Sequence, residues 1–336
     1  MTAVSQSQLV RAWRKVLDLS KVHAAETVAI VTKPNIYTRN LAAAQHALAD
    51  IGAQVFQIEP VIDSRPLREN RVAMQALKSS SMVLDFLGLH HLRTYEQDDI
   101  LKAGVRMLYT VEPPESLVRL VPGPEDKRRV RAAETCLRRA KEMHIQSDAG
   151  TDLRVALGEY PILAEWGYSD EAGHWDHWPS GFLATWPNER TANGTVVLCP
   201  GDILLPLKSY VQSKVRITIK DGYIREISGD YDAEFLSDYI AAYDDVEAYA
   251  VSHLGWGLDP KSRWTALGSL DKAQTNGNEA RAYAGNFLFS TGPNTDAGGK
   301  RDTRCHLDIP MRNCSLSLDG QPMTVRGKVV AEGQGA

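Results

Sequence analysis

The first 120 residues alternate between short apolar segments and helical patterns, and this alternation constrains the fold more than any other feature of the chain. Each apolar segment is rich in β-branched or aromatic residues and is bounded by polar or turn residues. These strand candidates are "TVAIVT" (27–32), "AQVFQI" (53–58), "SMVLDFLG" (81–88) and "RMLYTV" (106–111). Helical patterns over 38–52 and 68–80 separate the first three of them. Such alternation is typical of a parallel sheet covered by helices.

The domain organisation follows from where this alternation stops. We predict a Rossmann-like α/β domain over 1–123, without a dinucleotide site because "TKPNIYTRN", and not G-x-G-x-x-G, follows the first strand. A charged helix over 124–145 is expected to link it to the rest of the chain. Hairpin patterns around the Asp-Gly turns at 221–222 and 319–320 indicate an antiparallel sheet. The remainder, 146–336, is therefore predicted to be an α+β domain.

Charge and composition exclude several classes of protein. The chain carries 38 Lys and Arg against 42 Asp and Glu, and a net charge of −4 gives no reason to expect binding to nucleic acid. No apolar run approaches the roughly 18–20 residues of a membrane helix, and the N-terminus lacks the apolar core of a signal peptide. Four cysteines without C-x-x-C spacing argue against a zinc knuckle or a disulfide framework. We expect a cytoplasmic protein that binds neither nucleic acid nor membranes.

A His and an Asp two residues apart, His306 and Asp308, lie in "TRCHLDIPM" (303–311), which otherwise has the pattern of a buried strand. Side chains two apart on a strand point to the same face. The pair is therefore either a hydrogen-bonded core pair or two ligands of a metal. One more histidine would complete a 2-His-1-carboxylate face, which is typical of non-haem Fe(II) oxygenases. His253, after another strand pattern, is a candidate that the residues alone do not select.

Other histidines lie in two predicted loops. His90 and His91 follow the third strand candidate, and ligands reach such sheets at the carboxyl ends of their strands. His174 and His177 lie in "EAGHWDHWPSG" (171–181), whose indole rings suit a pocket for a flat ring. The residues leave open whether these imidazoles take part in chemistry or only line a pocket.

Four stretches carry a resemblance to known enzymes: "HWPSGFLATWPNERTANG" (177–194), "SHLGWGLDP" (252–260), "GNFLFSTGPNTDAGG" (285–299) and "RCHLDIPM" (304–311). Through them the second half of the chain resembles the aminopeptidase T family of metallopeptidases. The whole chain is more similar to the 2,5-dihydroxypyridine 5,6-dioxygenases, the ring-opening enzymes of bacterial nicotinate and nicotine degradation. The resemblance implies an aminopeptidase T-like, metal-binding fold for the C-terminal domain.

The resemblance also implies a set of metal ligands. The peptidases hold two metals, and their ligand positions correspond to Glu189, His253, Asn286, His306 and Asp308. The peptidases have a Glu where this chain has His253 and a His where it has Asn286. These two exchanges imply that one metal position is lost and that His253, His306 and Asp308 hold a single Fe(II). Glu189 is then expected to orient a ligand histidine.

The reaction implied by the resemblance is the opening of 2,5-dihydroxypyridine by dioxygen to N-formylmaleamate, with both oxygen atoms incorporated. The expected partners are this small molecule and dioxygen, and we expect the chain to form a homo-oligomer. Two alternatives stay open, namely a metallopeptidase with an unusual site and a non-catalytic binding module on the same fold.

Further residues are expected to surround the metal. The hydroxypyridine must lose a proton, and imidazole suits this task because its pKa lies near working pH. His177 and His91 are the candidates for this general base. Glu165, His174 and Ser290 are the candidates for substrate binding.

Overall fold

The structure is a computed structural model that describes residues 4–35, 37–59, 67–87, 95–205 and 207–335. Its helices are α1 (Gln6–Leu19), α2 (Thr38–Ile51), α3 (Arg71–Lys78), α4 (Tyr95–Lys102), α5 (Pro114–Arg119), α6 (Pro124–Arg139), α7 (Tyr231–Ala241) and α8 (Asn278–Ala282). Its strands are β1 (Thr27–Val31), β2 (Gln54–Ile58), β3 (Met82–Asp85), β4 (Arg106–Tyr109), β5 (Glu142–Gln146), β6 (Asp152–Ala156), β7 (Ile162–Glu165), β8 (Trp175–His177), β9 (Phe182–Thr185), β10 (Asn193–Leu198), β11 (Ile203–Leu204), β12 (Ser209–Tyr210), β13 (Val215–Lys220), β14 (Tyr223–Gly229), β15 (Val251–Gly257), β16 (Phe287–Thr291), β17 (Leu307–Met311), β18 (Ser315–Leu318), β19 (Gln321–Val325) and β20 (Lys328–Val329). Short 3₁₀ helices lie at Leu67–Glu69, Val246–Tyr249, Ala266–Ser269 and Thr295–Ala297.

Two compact units make up the chain, and each takes segments from several parts of the sequence. The first unit contains 1–127, 165–180 and 270–278, and the second contains 128–164, 181–269 and 279–336. The contiguous boundaries predicted at 123 and 146 are therefore corrected. The predicted linking helix is also shorter than 124–145, because α6 ends at Arg139 and Glu142–Gln146 form strand β5.

The first unit is built on a parallel sheet with strand order β2-β1-β3-β4-β8, which confirms the predicted parallel sheet. Val31, Val83 and Met107 on one face share a core with residues of α3 and α4. The alternate residues Ile30 and Leu84 are also fully buried, so both faces of the sheet are covered. This double coverage explains why the central strands β1 and β3 are largely continuous apolar runs rather than alternating ones.

The fifth strand, β8, corrects the prediction that 171–181 is a loop. The backbone N–H of Met107 donates to the carbonyl of His174 at 2.9 Å, and the N–H of Trp178 donates to the carbonyl of Tyr109 at 2.9 Å. The segment was missed because its three strand residues, Trp-Asp-His, lack the apolar pattern of the other strands.

A buried carboxyl group at the end of β3 gives a prediction on stability. Burial raises the pKa of Asp85 to about 7, against a partly compensating hydrogen bond from the N–H of Leu87. The unfolded chain therefore loses this proton at lower pH than the folded chain, so the free energy of unfolding falls as pH rises between about 4 and 7. We expect Asp85→Asn to remove this fall and to gain roughly 4 kcal/mol relative to wild type from pH 4 to pH 8.

Denaturant unfolding at several pH values measures this difference. Asp50→Asn, on the exposed side of α2, is the control and should follow the wild-type profile. Parallel wild-type and Asp85→Asn profiles would show that Asp85 ionises in the folded protein as easily as in the unfolded chain.

The second unit contains two larger antiparallel sheets. The eight-stranded sheet has the order β14-β13-β10-β6-β5-β18-β19-β20. Its hairpins β13–β14 and β18–β19 turn at Asp221 and Asp319, whose φ angles of 53° and 47° are left-handed, as the predicted Asp-Gly turns require. The five-stranded sheet has the order β17-β16-β15-β9-β7, and the pairs among β9, β15, β16 and β17 are antiparallel. This five-stranded sheet carries the site described below.

Within the described residues, no helix has both the length and the apolar character that crossing a membrane requires.

Candidate metal centre

Three titratable side chains lie on or next to two buried strands of the five-stranded sheet. His253 lies on β15, Asp308 lies on β17, and His306 directly precedes β17. All residues of β15, β16 and β17 are buried. Buried polar groups in such an environment need hydrogen bonds or a metal as partners.

The donor atoms of these three side chains converge. Nε2 of His253 lies 3.0 Å from Oδ1 of Asp308, and Nε2 of His306 lies 3.3 Å from the same oxygen. The three ligand atoms all lie within 4.8 Å of one another. Ligands that bind one metal at about 2.1 Å and at right angles are separated by about 3.0 Å. The spacing therefore fits one face of a metal coordination sphere.

One hydrogen bond of His306, made by Nδ1, leaves its other ring nitrogen, Nε2, facing His253 and Asp308. Nδ1 of His306 lies 3.0 Å from the carbonyl of Thr291, which accepts a hydrogen bond from a protonated Nδ1. Nε2 is then the unprotonated, ligating nitrogen. This atom is buried and has no hydrogen-bond partner among the described residues. A buried imidazole nitrogen without a hydrogen-bond partner fits the position of a metal ligand.

Arg281 holds the other oxygen of the carboxylate. Its Nε donates to Oδ2 of Asp308 at 2.6 Å, which leaves Oδ1 directed at the two histidines. Burial alone would raise the pKa of Asp308, but the charge of Arg281 and the two imidazoles outweigh it, so the pKa lies well below its usual range. The carboxylate is therefore ionised, as a metal ligand must be.

A second buried His–carboxylate pair lies in the first unit. Nδ1 of His177, at the end of β8, lies 2.8 Å from Oε2 of Glu165, and the hydroxyl of Ser180 donates to the same oxygen at 3.0 Å. Nε2 of His177 is buried and has no hydrogen-bond partner within the described part of the chain. A carboxylate at Nδ1 favours the tautomer in which Nε2 is free to accept a proton. The base role predicted for His177 would need this tautomer.

Comparison with known proteins identifies the family. The sequence profile of the 2,5-dihydroxypyridine 5,6-dioxygenase family matches residues 8–331. The chain belongs to the 2,5-dihydroxypyridine 5,6-dioxygenase family. It is 45% identical to a curated 2,5-dihydroxypyridine 5,6-dioxygenase from Pseudomonas putida KT2440, over 98% of this chain and 97% of the relative.

Solved structures agree with this family membership. The structure of 2,5-dihydroxypyridine dioxygenase from Pseudomonas putida KT2440 is similar to this chain with a TM-score of 0.94 at 45% identity, over 99% of this chain and 100% of the other. AmpT from Thermus thermophilus is similar with a TM-score of 0.62 at 15% identity, over 97% and 99% of the two chains. The second likeness shows the fold alone and supports the predicted aminopeptidase T-like architecture.

Membership of the 2,5-dihydroxypyridine 5,6-dioxygenase family does not favour the two alternatives left open by the sequence, a metallopeptidase and a non-catalytic module. Asn286, which the resemblance assigns to a peptidase ligand position, is fully buried and its side chain hydrogen-bonds to the backbone. Its Oδ1 accepts from the N–H of Gly257 at 2.6 Å, and its Nδ2 donates to the carbonyls of Ala280 and Arg281 at 2.6 and 3.0 Å. Its amide therefore supports the segment that carries Arg281.

Glu189, the other peptidase-like ligand position in this dioxygenase-family chain, has partners of its own. Its Oε2 lies 2.5 Å from Nη1 of Arg301, and its Oε1 accepts hydrogen bonds from Tyr160 and Asn294 at 2.5 and 2.8 Å. Nδ1 of His306 is held by a backbone carbonyl instead. The carboxylate of Glu189 therefore binds Arg301, Tyr160 and Asn294, and its predicted role in orienting a ligand histidine stays a prediction.

Two further predicted site residues of this dioxygenase-family chain, His174 and Ser290, have hydrogen-bond partners of their own. His174 stacks on Trp166 with ring centroids 4.0 Å apart, and its Nε2 lies 3.1 Å from Oδ2 of Asp176. The hydroxyl of Ser290 donates to the carbonyl of His253 at 2.6 Å, and the side chain is fully buried. His91 lies outside the described residues. Substrate binding by His174, Ser290 and Glu165 stays a prediction.

Sequence reasoning missed two residues that contact the candidate metal ligands. Arg281 holds Asp308, and the indole of Trp186 packs edge-on against the ring of His253, with centroids 5.4 Å apart. Arg281 carried no signal, because a single Arg in a short helix is ordinary. Trp186 lies in the stretch "ATWPNER", which supported the family resemblance. Its closeness in sequence to Glu189 could have identified it as a residue near the site.

Proposed function

We propose that this chain binds Fe(II) through His253, His306 and Asp308 and opens the ring of 2,5-dihydroxypyridine with dioxygen, giving N-formylmaleamate. The observation that carries this proposal is the convergence of two imidazole nitrogens on one carboxylate oxygen, at 3.0 and 3.3 Å, in a chain of this dioxygenase family. A 2-His-1-carboxylate face leaves coordination positions open for substrate and dioxygen. When bound, ferrous iron would supply the electron transfer that lets dioxygen react with the ring.

The protein's own residues supply geometry and proton transfer. Arg281 keeps one carboxylate oxygen away from the metal, so that Asp308 offers a single ligand atom. The carbonyl of Thr291 fixes the tautomer of His306. We propose His177 as the general base that takes a proton from the hydroxypyridine at Nε2, and Glu165 as the residue that fixes its tautomer at Nδ1. In this role Glu165 acts through His177 and is a positioning residue.

The expected partners remain the small-molecule substrate and dioxygen. A cytoplasmic location and a homo-oligomer stay predictions of the sequence; the mass of the assembly in solution tests the second.

The metal requirement tests this function. We expect activity on 2,5-dihydroxypyridine to be lost when a ferrous chelator is added or when the protein is oxidised in air, and to return with ascorbate and fresh Fe(II). The loss of the aromatic absorbance measures turnover, and mass spectrometry of the product formed under ¹⁸O₂ measures incorporation of both oxygen atoms. Activity that survives the chelator, or that Zn(II) restores, would contradict the proposal.

A further inference from the structure

A fully buried carboxylate, Asp176, lies directly before the proposed base on β8. Its Oδ2 accepts a hydrogen bond from the backbone N–H of Trp166 at 2.8 Å, and its Oδ1 accepts one from the N–H of Gly167 at 2.9 Å. Nε2 of His174 lies 3.1 Å from Oδ2. A buried carboxylate with several donors fixes the groups that it binds. The backbone fixed here is the turn that directly follows Glu165.

This turn is held from both sides of an edge strand. β8 is the last strand in the order of its sheet, and successive side chains of a strand point to opposite faces. Asp176 and His177 therefore face opposite sides of β8. Asp176 binds two backbone N–H groups of the turn, whereas His177 binds the carboxylate of Glu165. The segment 165–167 is thus bound by two neighbouring side chains of one strand.

The ring of His177 is confined by other contacts. The ring of Tyr109 on β4 packs edge-on against it with centroids 4.8 Å apart, and the indole of Trp175 does so at 4.6 Å. With the imidazole confined in this way, the position of Glu165 decides whether the contact of 2.8 Å with Nδ1 forms. The two hydrogen bonds to Asp176 fix the backbone on the C-terminal side of Glu165.

We infer that Asp176 is a positioning residue of the reaction, which holds Glu165 at hydrogen-bonding distance from His177 through the N–H groups of Trp166 and Gly167. This inference rests on the proposed function, in which His177 is the base. Asp176 acts only through Glu165, so its removal should resemble a weakened contact between Glu165 and His177.

Asp176→Asn tests this role, because it keeps the size of the side chain while its amide nitrogen cannot accept a hydrogen bond. We expect turnover to fall about 10-fold, less than the roughly hundred-fold cost of a displacement of about 1 Å, with the iron content unchanged. The acid limb of the pH–rate profile should move in the same direction as in Glu165→Gln. Hydrogen–deuterium exchange should become faster in the peptide that contains Trp166 and Gly167.

A double-mutant cycle shows whether Asp176 acts through Glu165. Added to Glu165→Gln, Asp176→Asn should cost less than about 2-fold, because the contact that it positions is already weakened. Gly167→Ala disturbs the same turn independently, since its φ of 98° is left-handed and an added Cβ would lie 2.9 Å from Cβ of Pro122. We expect it to lower turnover and to move the acid limb as Asp176→Asn does, and it replaces that variant if Asp176→Asn does not fold.

Asp232→Asn is the matched control. Asp232 is also buried and accepts hydrogen bonds from the backbone N–H groups of Gln212 and Ser213, at 2.8 and 2.5 Å, but it lies in the second unit. We expect it to keep wild-type turnover and pH profile, with circular dichroism confirming that the variants are folded. Wild-type turnover and profile in Asp176→Asn, or an undiminished loss in the Glu165→Gln background, would overturn the inference alone. Normal turnover in His177→Ala would overturn the proposed base instead.

Discussion

His306→Ala is expected to yield a folded protein that neither retains Fe(II) nor opens 2,5-dihydroxypyridine. Three protein ligands are the complete set of a facial triad, so losing one leaves a two-ligand site. The same result is expected for His253→Ala and Asp308→Ala. Metal analysis after anaerobic loading and desalting measures retention, and circular dichroism measures the fold. A variant with the iron content and rate of wild type would show that the replaced residue is not a ligand.

His144→Ala is the control for this series. Nε2 of His144 lies 2.7 Å from Oδ1 of Asp152 across β5 and β6, so it also forms a His–carboxylate pair. No third ligand atom joins that pair among the described residues, because the one convergent group found there is His253, His306 and Asp308. We therefore expect His144→Ala to retain iron and activity.

The second large effect is expected at the proposed base. His177→Ala should keep iron but lose about a hundred-fold or more in turnover, the usual scale when a general base is removed. The acid limb of the pH–rate profile should flatten, because the proposed base is gone. Steady-state rates across pH, with the iron content of each sample, measure both effects.

Two further variants make this assignment specific. Glu165→Gln keeps the size of the partner of His177 but removes its charge, so we expect it to lower turnover less than His177→Ala and to shift the pH profile rather than flatten it. His91→Ala is the paired test of the other candidate. If His177→Ala turns over normally and His91→Ala does not, His91 is the base. If neither variant changes the rate or the profile, both assignments are wrong.

Much of the site could be predicted because strand geometry is local. The two-residue spacing of His306 and Asp308 places them on one face of any strand, and the fold adds little to that argument. His253 could not be predicted in this way, because it lies on β15, two positions away in the sheet from the strand of Asp308. Only the family resemblance selected it, and the structure brings its Nε2 to 3.0 Å from Asp308.

Contacts between residues far apart in the sequence could not be predicted for the same reason. Arg281 lies 27 residues from Asp308 along the chain, and nothing in its local pattern distinguishes it from a surface arginine. Strand β8 follows β4 in the sheet only because the chain returns to the first unit after entering the second. Local patterns predicted β1 to β4, since each lies in a short segment rich in β-branched, aromatic or other apolar residues, but they carry no information about such a return.

The central claim is that one Fe(II), held by His253, His306 and Asp308, makes this chain a ring-opening dioxygenase. The most direct measurement is an anaerobic titration of the metal-free protein with Fe(II), in which each sample is then given 2,5-dihydroxypyridine and oxygen. The account predicts that the rate rises in proportion to added iron, stops at about one iron per chain, and stays at zero throughout for His306→Ala. Full activity before any iron is added, or a rising rate in His306→Ala that matches wild type, would contradict it.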